Sequence, residues 1–312
     1  MGSQTCKLLF ENGYIPVTFD NLSTGHSENV KWGPLEVGDL TVKSDIERLF
    51  DRYKFKSVFH FAAKAYVGES VSNPLSYFTN NITGSTNLIE EFLKRGGENF
   101  VFSSSCATYG EPHVDFISEN LEQNPINPYG FTKLATEKLI LALAKNVDFN
   151  FAILRYFNAA GADLSCEIGE WHNPETHVIP LLIHSLRSKK PFRIFGNDFE
   201  TFDGTAIRDY VHVVDLANAH LAALRNIIEN SRNLIVNVGT GIGTSIQELV
   251  EIGREFDADF QILLDERRPG DPARLIADIS LIKQELKWEP KHSSSRNILE
   301  TAIKWYDMKN SK

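Results

Sequence analysis

The sequence contains few cysteines and no long apolar run. Only three of its 312 residues are cysteine, namely Cys6, Cys106 and Cys166, and they form no C-x-x-C pair. A sparse and odd number of cysteines is typical of a reducing compartment. No apolar segment approaches the ~20 residues that a membrane-spanning helix needs, and no signal peptide is visible. We therefore expect a cytoplasmic protein with no membrane partner.

The sequence also lacks a recognisable metal-binding spacing and an excess of basic residues. Its nine histidines form no H-E-x-x-H or similar motif, so no metal site is predicted. Acidic residues outnumber basic ones by 41 to 32, which leaves a net charge of −9. This balance argues against a nucleic-acid partner. An anionic ligand must then be held by local arginines and helix N-termini.

Short apolar segments alternate with amphipathic helical patterns in the first half of the chain. The predicted strands are Ile15–Phe19, Ser57–Phe61, Asn99–Phe102 and Phe149–Leu154, and the predicted helices are Val42–Tyr53, Leu75–Lys94 and Tyr129–Lys145. This alternation predicts an α/β fold with a doubly wound parallel sheet. Beyond about residue 160 the pattern loosens, and strands such as Tyr210–Val213 and Leu234–Val238 indicate a smaller, mixed α/β region.

Tyr129 and Lys133 carry the most distinctive chemistry of the chain. Four residues apart, they share one face of a helix. A free phenol has a pKa near ~10, and a neighbouring cation lowers it. We therefore predict that Lys133 makes Tyr129 a usable general acid and base for a hydroxyl–carbonyl interconversion, with Ser105 as a hydrogen-bonding helper. The spacing by itself also fits an exposed helical pair.

Three further segments contain candidate ligand-binding residues. Asp20 follows Ile15–Phe19, where an acidic side chain is suited to a ribose 2′-hydroxyl and disfavours a 2′-phosphate. Asp39, in Gly38-Asp39-Leu40, is similarly suited to a position beside an adenine. In Phe61-Ala62-Ala63, the small alanine side chains let a ligand approach the backbone. The alternatives are a turn aspartate and ordinary helix–sheet packing.

An ordered series of motifs resembles the UDP-glucose 4-epimerases, which are extended short-chain dehydrogenases/reductases. The motifs are Asp20-Asn21-Leu22-Ser23-Thr24-Gly25, Val67-Gly68-Glu69-Ser70, Ser103-Ser104-Ser105, Asn127-Pro128-Tyr129-Gly130, Arg155-Tyr156-Phe157-Asn158, Ile194-Phe195-Gly196-Asn197-Asp198, Asp203-Gly204-Thr205, Arg208-Asp209-Tyr210-Val211-His212-Val213 and Arg268-Pro269-Gly270-Asp271. The resemblance runs from Gly2 to about Pro290. The order and spacing of the motifs make it specific.

The resemblance implies the interconversion of UDP-glucose and UDP-galactose with bound NAD, as part of galactose metabolism, in a homodimer. It implies a Rossmann-type NAD-binding domain over residues 1–158 and a mainly nucleotide-sugar-binding domain over residues 159–312, with segments that return to the first. It also implies a role for each matching residue. The catalytic residues are Ser105, Tyr129 and Lys133. The NAD contacts are Asp20, Asn21, Asp39, Leu40, Phe61, Ala62, Ala65, Asn80 and Phe157. The UDP-sugar contacts are Asn158, His177, Val178, Arg208, Arg268 and Asp271.

Some of these roles have an independent physical reason. Arg208 and Arg268 suit a diphosphate because guanidinium groups are fork-shaped donors, although surface salt bridges explain them too. His177 also fits a helix-start residue without a ligand. Related dehydratases carry acidic residues just after the serine, where this chain has Cys106 and Ala107. That difference favours epimerisation over elimination.

The chain departs from the family at its N-terminus. The family begins with a short apolar strand and a G-x-x-G-x-x-G loop, whereas this sequence opens Met1-Gly2-Ser3-Gln4 and continues with a predicted helix. We therefore expect an N-terminal truncation, from a start site assigned too far downstream or from a degraded gene. We also expect the strands beside the missing one to lack a partner. Open alternatives are an epimerase for an N-acetylated or pentose UDP-sugar, and a catalytically impaired nucleotide-sugar-binding remnant.

Overall fold

The computed structural model describes residues 1–257, 260–268 and 270–311. The chain forms two compact units. Unit 1 comprises residues 1–110, 120–156 and 218–236, and unit 2 comprises residues 111–119, 157–217 and 237–312. The assignment of NAD and nucleotide-sugar roles to the two predicted domains stays a prediction.

Unit 1 alternates strands and helices along most of its length. Its elements up to residue 156 are α1 (Gly2–Glu11), β1 (Thr18–Asp20), β2 (Leu35–Val37), α2 (Lys43–Arg52), β3 (Ser57–His60), α3 (Val67–Ser72), α4 (Pro74–Tyr77), α5 (Gly84–Lys94), β4 (Asn99–Ser105), α6 (Pro128–Leu143) and β5 (Asn150–Tyr156). The elements from residue 157 onward are β6 (Asn158–Ala160), α7 (Val178–Ser188), β7 (Phe192–Phe195), β8 (Ile207–Arg208), β9 (Tyr210–His212), α8 (Val213–Asn230), β10 (Leu234–Val238), β11 (Thr244–Ser245), α9 (Ile246–Arg254), β12 (Ile262–Asp265), β13 (Arg274–Leu275), α10 (Ser280–Leu286) and α11 (Ser295–Asn310).

The largest sheet has the strand order β10-β5-β4-β3, and β4 runs parallel to both β3 and β5. Every residue of β4 is buried. A strand with no exposed residue is typical of a parallel sheet that is covered on both faces. Apolar side chains of α2, α5, α6, β4 and β5 form one core beside it, with Phe92 and Phe100 fully buried. The predicted parallel α/β architecture is confirmed.

The first two strands form a separate parallel pair. β1 pairs with β2, so that Asp20 lies opposite Val37, and among the described residues neither strand joins the larger sheet. Only one edge of β3 is paired in the part of the chain described, and three of its four residues are only partly buried.

Two predicted boundaries in unit 1 were wrong. The first strand was placed at Ile15–Phe19, but β1 begins at Thr18, and Ile15 is 87% exposed. The predicted helix Leu75–Lys94 is divided into α4, a π-helical turn over Phe78–Thr83 and α5. Hydrophobic periodicity alone does not separate α-helical from π-helical turns, because both keep the same face buried over so short a segment.

Unit 2 is built from short sheets and helices. β6 and β9 are parallel, as are β7 and β12, and the sheet β11-β8-β13 is mixed. Its core is formed by apolar residues of α7, α9 and α11, among them Leu182, Leu249 and Leu299. Across the described residues, no helix is both long and apolar enough to cross a membrane.

Candidate active site

Tyr129 lies in the first turn of α6, and local sequence explains why the helix begins there. Asn127 caps the helix, because its Oδ1 accepts a hydrogen bond from the Gly130 amide at 2.9 Å, and Pro128 occupies the first helical position. A Cβ on Gly130 would lie 2.4 Å from the Ala107 carbonyl oxygen. Glycine therefore lets the start of α6 approach the segment that follows β4.

Ser105 is the last residue of β4, and it lies beside Tyr129. Its hydroxyl hydrogen-bonds the Tyr129 phenol and accepts a hydrogen bond from the Ala107 amide at 3.1 Å. Ser105 and Tyr129 are 8% and 7% exposed. The structure thus brings together the serine and tyrosine that the sequence predicted as partners.

Lys133 completes this group one turn further along α6. Its Nζ donates a hydrogen bond to the Ser103 carbonyl at 2.7 Å and lies 5.9 Å from the centroid of the Tyr129 ring. Burial lowers the pKa of Lys133 to about 7, against the opposing charge of Glu137. At neutral pH this lysine is close to its midpoint and can give up or take a proton.

The groups of the chain itself do not give the Tyr129 phenol the lowered pKa that the sequence predicted. Burial raises the pKa of the Tyr129 phenol above its usual value; Tyr156 and Cys106 add to the rise, and the Ser105 hydrogen bond opposes it. The loss of hydration on burial is the largest of these causes. A positive charge from another source is needed to favour the phenolate.

A buried ion pair supports this group, and sequence reasoning missed it. The Arg155 guanidinium donates to both Glu137 carboxylate oxygens, at 2.7 Å from Nη2 and 3.0 Å from Nε, and to the Tyr109 hydroxyl at 2.9 Å. The Ser104 hydroxyl donates to the same carboxylate at 2.5 Å. This network ties α6 to β4 and β5. The available signal was Arg155, the single charged residue in the apolar segment that forms β5.

The predicted cofactor residues cluster at the ends of β1, β2 and β3. Asp39 accepts hydrogen bonds from the Asn21 amide at 3.0 Å and from the Thr41 hydroxyl at 2.7 Å, which lower its pKa. The Asp20 carboxylate accepts one from the Leu22 amide at 2.7 Å. The Asp39 carboxylate therefore stays ionised at one edge of the β1–β2 pair.

Further predicted cofactor residues surround this edge within unit 1. A Cβ on Gly84 would lie 3.0 Å from Cβ of Leu40, so α5 packs closely there. Ala62 and Ala65 are exposed, and Phe61 lies 3.9 Å from the Cβ position of Gly2 at the start of α1. Asn80 lies in the π-helical turn, a feature common at functional sites.

This arrangement fits a dinucleotide. Ionised carboxylates after parallel strands accept hydrogen bonds from ribose hydroxyls, and a Cβ on Gly25 would come within 3.0 Å of Asp20 Oδ1. A side chain at position 25 would therefore require the Asp20 carboxylate to shift by a few tenths of an ångström. The start of α1 carries a partial positive charge that suits a phosphate, and its first turn contains no acidic residue.

In unit 2 the predicted substrate residues divide into two environments. Arg208 is largely buried; it forms an ion pair with Asp271 and donates to the Ile207 carbonyl at 2.8 Å. Arg268 is exposed, and its guanidinium lies 3.9 Å from the centroid of the Phe195 ring. Phe157 is buried, and the Asn158 amide donates to the Asp209 carbonyl at 2.9 Å.

His177 and Val178 lie at the start of α7. His177 is the N-terminal cap position and Val178 the first helical residue. The His177 ring contacts Glu170 at 2.5 Å between Nδ1 and Oε1, and His172 and Glu175 lie beside it. This group of two histidines and two glutamates was not predicted from the sequence. Its signal was the local spacing E-x-H-x-x-E-x-H over residues 170–177.

Comparison with known proteins places this geometry in context. The sequence model of the family described as "NAD dependent epimerase/dehydratase family" matches residues 1–239. A UDP-glucose 4-epimerase of Rhizobium meliloti (strain 1021) is 44% identical over 312 residues, which cover 99% of this chain and 95% of that protein.

Two solved structures are similar over nearly the whole chain. A UDP-glucose 4-epimerase from Brucella ovis in complex with NAD is 44% identical, with a TM-score of 0.92 over 97% of this chain and 94% of that chain. One from Stenotrophomonas maltophila, with bound NAD and formylated UDP-arabinopyranose, is 33% identical, with a TM-score of 0.95 over 100% of this chain and 96% of that chain. Because the matches span 94–96% of these relatives, they do not support the expected truncation.

Proposed function

The chain belongs to the NAD dependent epimerase/dehydratase family, and from that membership we propose that it is a UDP-glucose 4-epimerase. It interconverts UDP-glucose and UDP-galactose through a 4-keto sugar, with NAD as its cofactor. The observation that carries the proposal is the buried group of Ser105, Tyr129 and Lys133. This group has a proton donor and acceptor, a hydrogen-bonding hydroxyl and an ammonium with a pKa near neutrality.

Tyr129 is the general acid and base at the sugar 4-hydroxyl. It removes the hydroxyl proton while C4 loses a hydride, and it returns a proton to the ketone oxygen after the sugar has turned over. When bound, NAD supplies the hydride acceptor and donor, and its cationic nicotinamide ring favours the phenolate. Ser105 orients the same oxygen, and Lys133 carries charge or a proton beside the phenol.

Most of the residues proposed to hold the cofactor lie in unit 1, and Phe157 is a further proposed contact. Asp20 and Asp39 accept hydrogen bonds from the adenosine, and the start of α1 attracts a phosphate. The remaining contacts come from Asn21, Leu40, Phe61, Ala62, Ala65 and Asn80. The ionised state of Asp39 and the close approach of Gly25 to Asp20 support this assignment.

The nucleotide sugar is held by Asn158, His177, Val178, Arg208, Arg268 and Asp271. Arg268 is the readier diphosphate ligand, because it is exposed and packs one face on Phe195. Arg208 is already paired with Asp271, so binding a phosphate requires an exchange of partners. Both assignments rest on the chemistry of the guanidinium group.

The residues after Ser105 favour epimerisation over elimination. Cys106 is buried, and the side chain of Ala107 has no proton to donate. Neither supplies the carboxylic acid that would protonate a departing C6 hydroxyl. Oxidation at C4 is therefore followed by return of the hydride rather than by loss of water.

The active form is a homodimer in the cytoplasm. Unit 1 exposes apolar side chains on α3, α4, the π-helical turn and α6, which pack against one another. These side chains are Val71, Leu75, Phe78 and Phe131. An exposed apolar surface of this kind favours a symmetric interface. The free thiols of Cys6, Cys106 and Cys166 are consistent with a reducing compartment.

The deciding experiment is turnover by the purified chain. We expect NAD in the supernatant after denaturation, conversion of UDP-galactose to UDP-glucose, and a dimer by light scattering. Parallel assays with UDP-N-acetylglucosamine and UDP-arabinose compare the alternative substrates. NAD without turnover of any UDP-sugar contradicts the enzyme assignment and leaves the binding remnant. If UDP-arabinose is turned over faster than UDP-galactose, the proposed substrate preference is wrong, but the assignment as an epimerase stands.

A further inference from the structure

Four potential metal ligands converge in the loop before α7. Glu170, His172, Glu175 and His177 each present one nitrogen or oxygen, and all four atoms lie within 4.8 Å of one another. His172 Nδ1 lies 3.4 Å from Glu170 Oε1 and 3.3 Å from Glu175 Oε2. His177 Nδ1 lies 2.5 Å from Glu170 Oε1 and 3.8 Å from Glu175 Oε1.

These distances are close to the edges of a tetrahedral site. Zinc binds imidazole nitrogen and carboxylate oxygen at about 2.0–2.1 Å, which separates tetrahedral ligands by roughly 3.3 Å. The two separations from His172 Nδ1 match this value. The 3.8 Å separation from His177 Nδ1 is to Oε1 of Glu175, which is not the oxygen that faces His172, so that distance is not an edge of the site. The contact between His177 and Glu170 must open by roughly 0.8 Å, within reach of a side-chain rotation.

The side chains are oriented before any ion binds. Glu175 Oε1 accepts hydrogen bonds from the amides of Thr176 and His177, both at 2.8 Å, which leaves Oε2 facing His172. The two imidazole rings lie edge to face, with centroids 5.0 Å apart at 81°. Both rings turn Nδ1 toward the carboxylates. Such outer contacts orient the ligands in known metal sites.

The loop itself is anchored to α11. The Trp305 indole nitrogen donates to the Glu170 carbonyl at 3.1 Å, and Lys309 Nζ lies 3.0 Å from the centroid of the Trp171 ring. A Cβ on Gly169 would lie 2.3 Å from Trp305, so the loop packs directly on that side chain. The four ligand side chains are 19–47% exposed, which gives an ion access from solvent.

We propose that Glu170, His172, Glu175 and His177 form a binding site for one divalent transition-metal ion, zinc by preference. Two imidazoles among four ligands favour zinc-class ions over calcium or magnesium, which take mainly oxygen. The ion cross-links residues 170–177 and so fixes the start of α7. The site does not depend on the proposed epimerase function, because it uses only Nδ1 of His177 as a ligand.

The test uses full-length protein without a histidine tag, with its thiols blocked and its metals removed by a chelator. Zinc is titrated in competition with a chromophoric chelator, and Co²⁺ is added separately as a spectroscopic probe. We expect one zinc per chain and visible Co²⁺ bands of tetrahedral intensity. His172→Ala weakens zinc binding at least ~10-fold, by analogy with outer-shell losses. His113→Ala, at an exposed histidine outside the cluster, leaves binding unchanged.

Several results overturn the proposal. One is the absence of stoichiometric zinc binding by the unaltered chain, and another is an octahedral Co²⁺ spectrum. Equal affinity in the His172→Ala and His113→Ala variants also overturns it. If circular dichroism shows that His172→Ala does not fold, Glu175→Gln replaces it, because the change keeps the shape of the side chain and removes only its charge. If the Glu175→Gln variant binds zinc with the same affinity as the His113→Ala variant, the proposal is likewise overturned.

Discussion

The two units hold their functional side chains in opposite ways. In unit 1, Ser105, Tyr129 and Lys133 are almost fully buried, and their partners are neutral groups such as the Ser103 carbonyl. In unit 2, Arg208 is paired with Asp271, and Arg268 lies exposed against Phe195. In unit 1, burial shifts the pKa values of Tyr129 and Lys133. In unit 2, the charge of Arg208 is balanced by Asp271 and that of Arg268 is exposed to solvent.

The difference teaches what each set of residues must do to act. The phenol of Tyr129 is preorganised, but burial holds it protonated until a positive charge arrives. Arg208 is fully charged but engaged, so an incoming phosphate has to replace a carboxylate. We therefore expect substitutions in unit 1 to act on kcat and substitutions in unit 2 to act on KM.

The largest effect is expected for Tyr129→Phe, which removes the only proposed proton carrier at the sugar 4-hydroxyl. We expect kcat to fall by about 10²–10⁴-fold, the usual contribution of general acid–base catalysis. The measurement is the steady-state conversion of UDP-galactose to UDP-glucose. Circular dichroism should be unchanged, because the ring keeps its volume.

The matched control is Tyr53→Phe, at a tyrosine whose hydroxyl donates to Glu36 at 2.7 Å on the surface of unit 1. Its kcat should stay within about twofold of the unaltered chain, since surface changes are usually small. Full activity in Tyr129→Phe would remove the basis of the contrast between the units.

A smaller effect is expected for Arg208→Lys, which retains the positive charge and loses the fork of donors. A hydrogen bond to a charged group contributes about 1.5–3 kcal/mol, so KM for the UDP-sugar should rise about 10- to 100-fold with little change in kcat. The control is Arg187→Lys on α7, where the guanidinium pairs with Asp307 through two contacts of 2.7 Å. If both variants raise KM equally, the diphosphate role of Arg208 is wrong.

The contrast also explains which features could be predicted from sequence. Ser105, Tyr129 and Lys133 follow strand-end and helix-spacing rules, so their proximity was predictable. The sign of the shift at Tyr129 was not, because it depends on burial that only the packed structure reveals. The parallel sheet followed from the apolar runs that became β3, β4 and β5, which carry their signal locally.

Features that depend on tertiary partners escaped prediction. The Arg155–Glu137 pair joins residues 18 positions apart, and nothing in either segment identifies the other. The π-helical turn inside Leu75–Lys94 leaves no mark on hydrophobic periodicity. The cluster around His177 has its residues within one short loop, but its spacing matches no familiar metal motif.

The smallest expected effect tests the burial of Lys133 through stability. Because burial lowers its pKa from 10.5 to about 7, the unfolded chain binds a proton between these values that the folded chain does not. The free energy of unfolding therefore rises with pH across this window. Between pH 7 and 8 the gain from this one group is roughly 1 kcal/mol. Lys133→Met removes the group and with it this part of the pH dependence.

Urea unfolding at pH 7 and at pH 8 measures the difference, because every other titrating group is common to both proteins. The control is Lys138→Met, at an exposed lysine of the same helix, which should retain the slope of the unaltered chain. An equal slope in the Lys133→Met variant contradicts the lowered pKa. Lys133 would then be as fully charged as the arginines of unit 2, and the contrast between the two units would rest on Tyr129 alone.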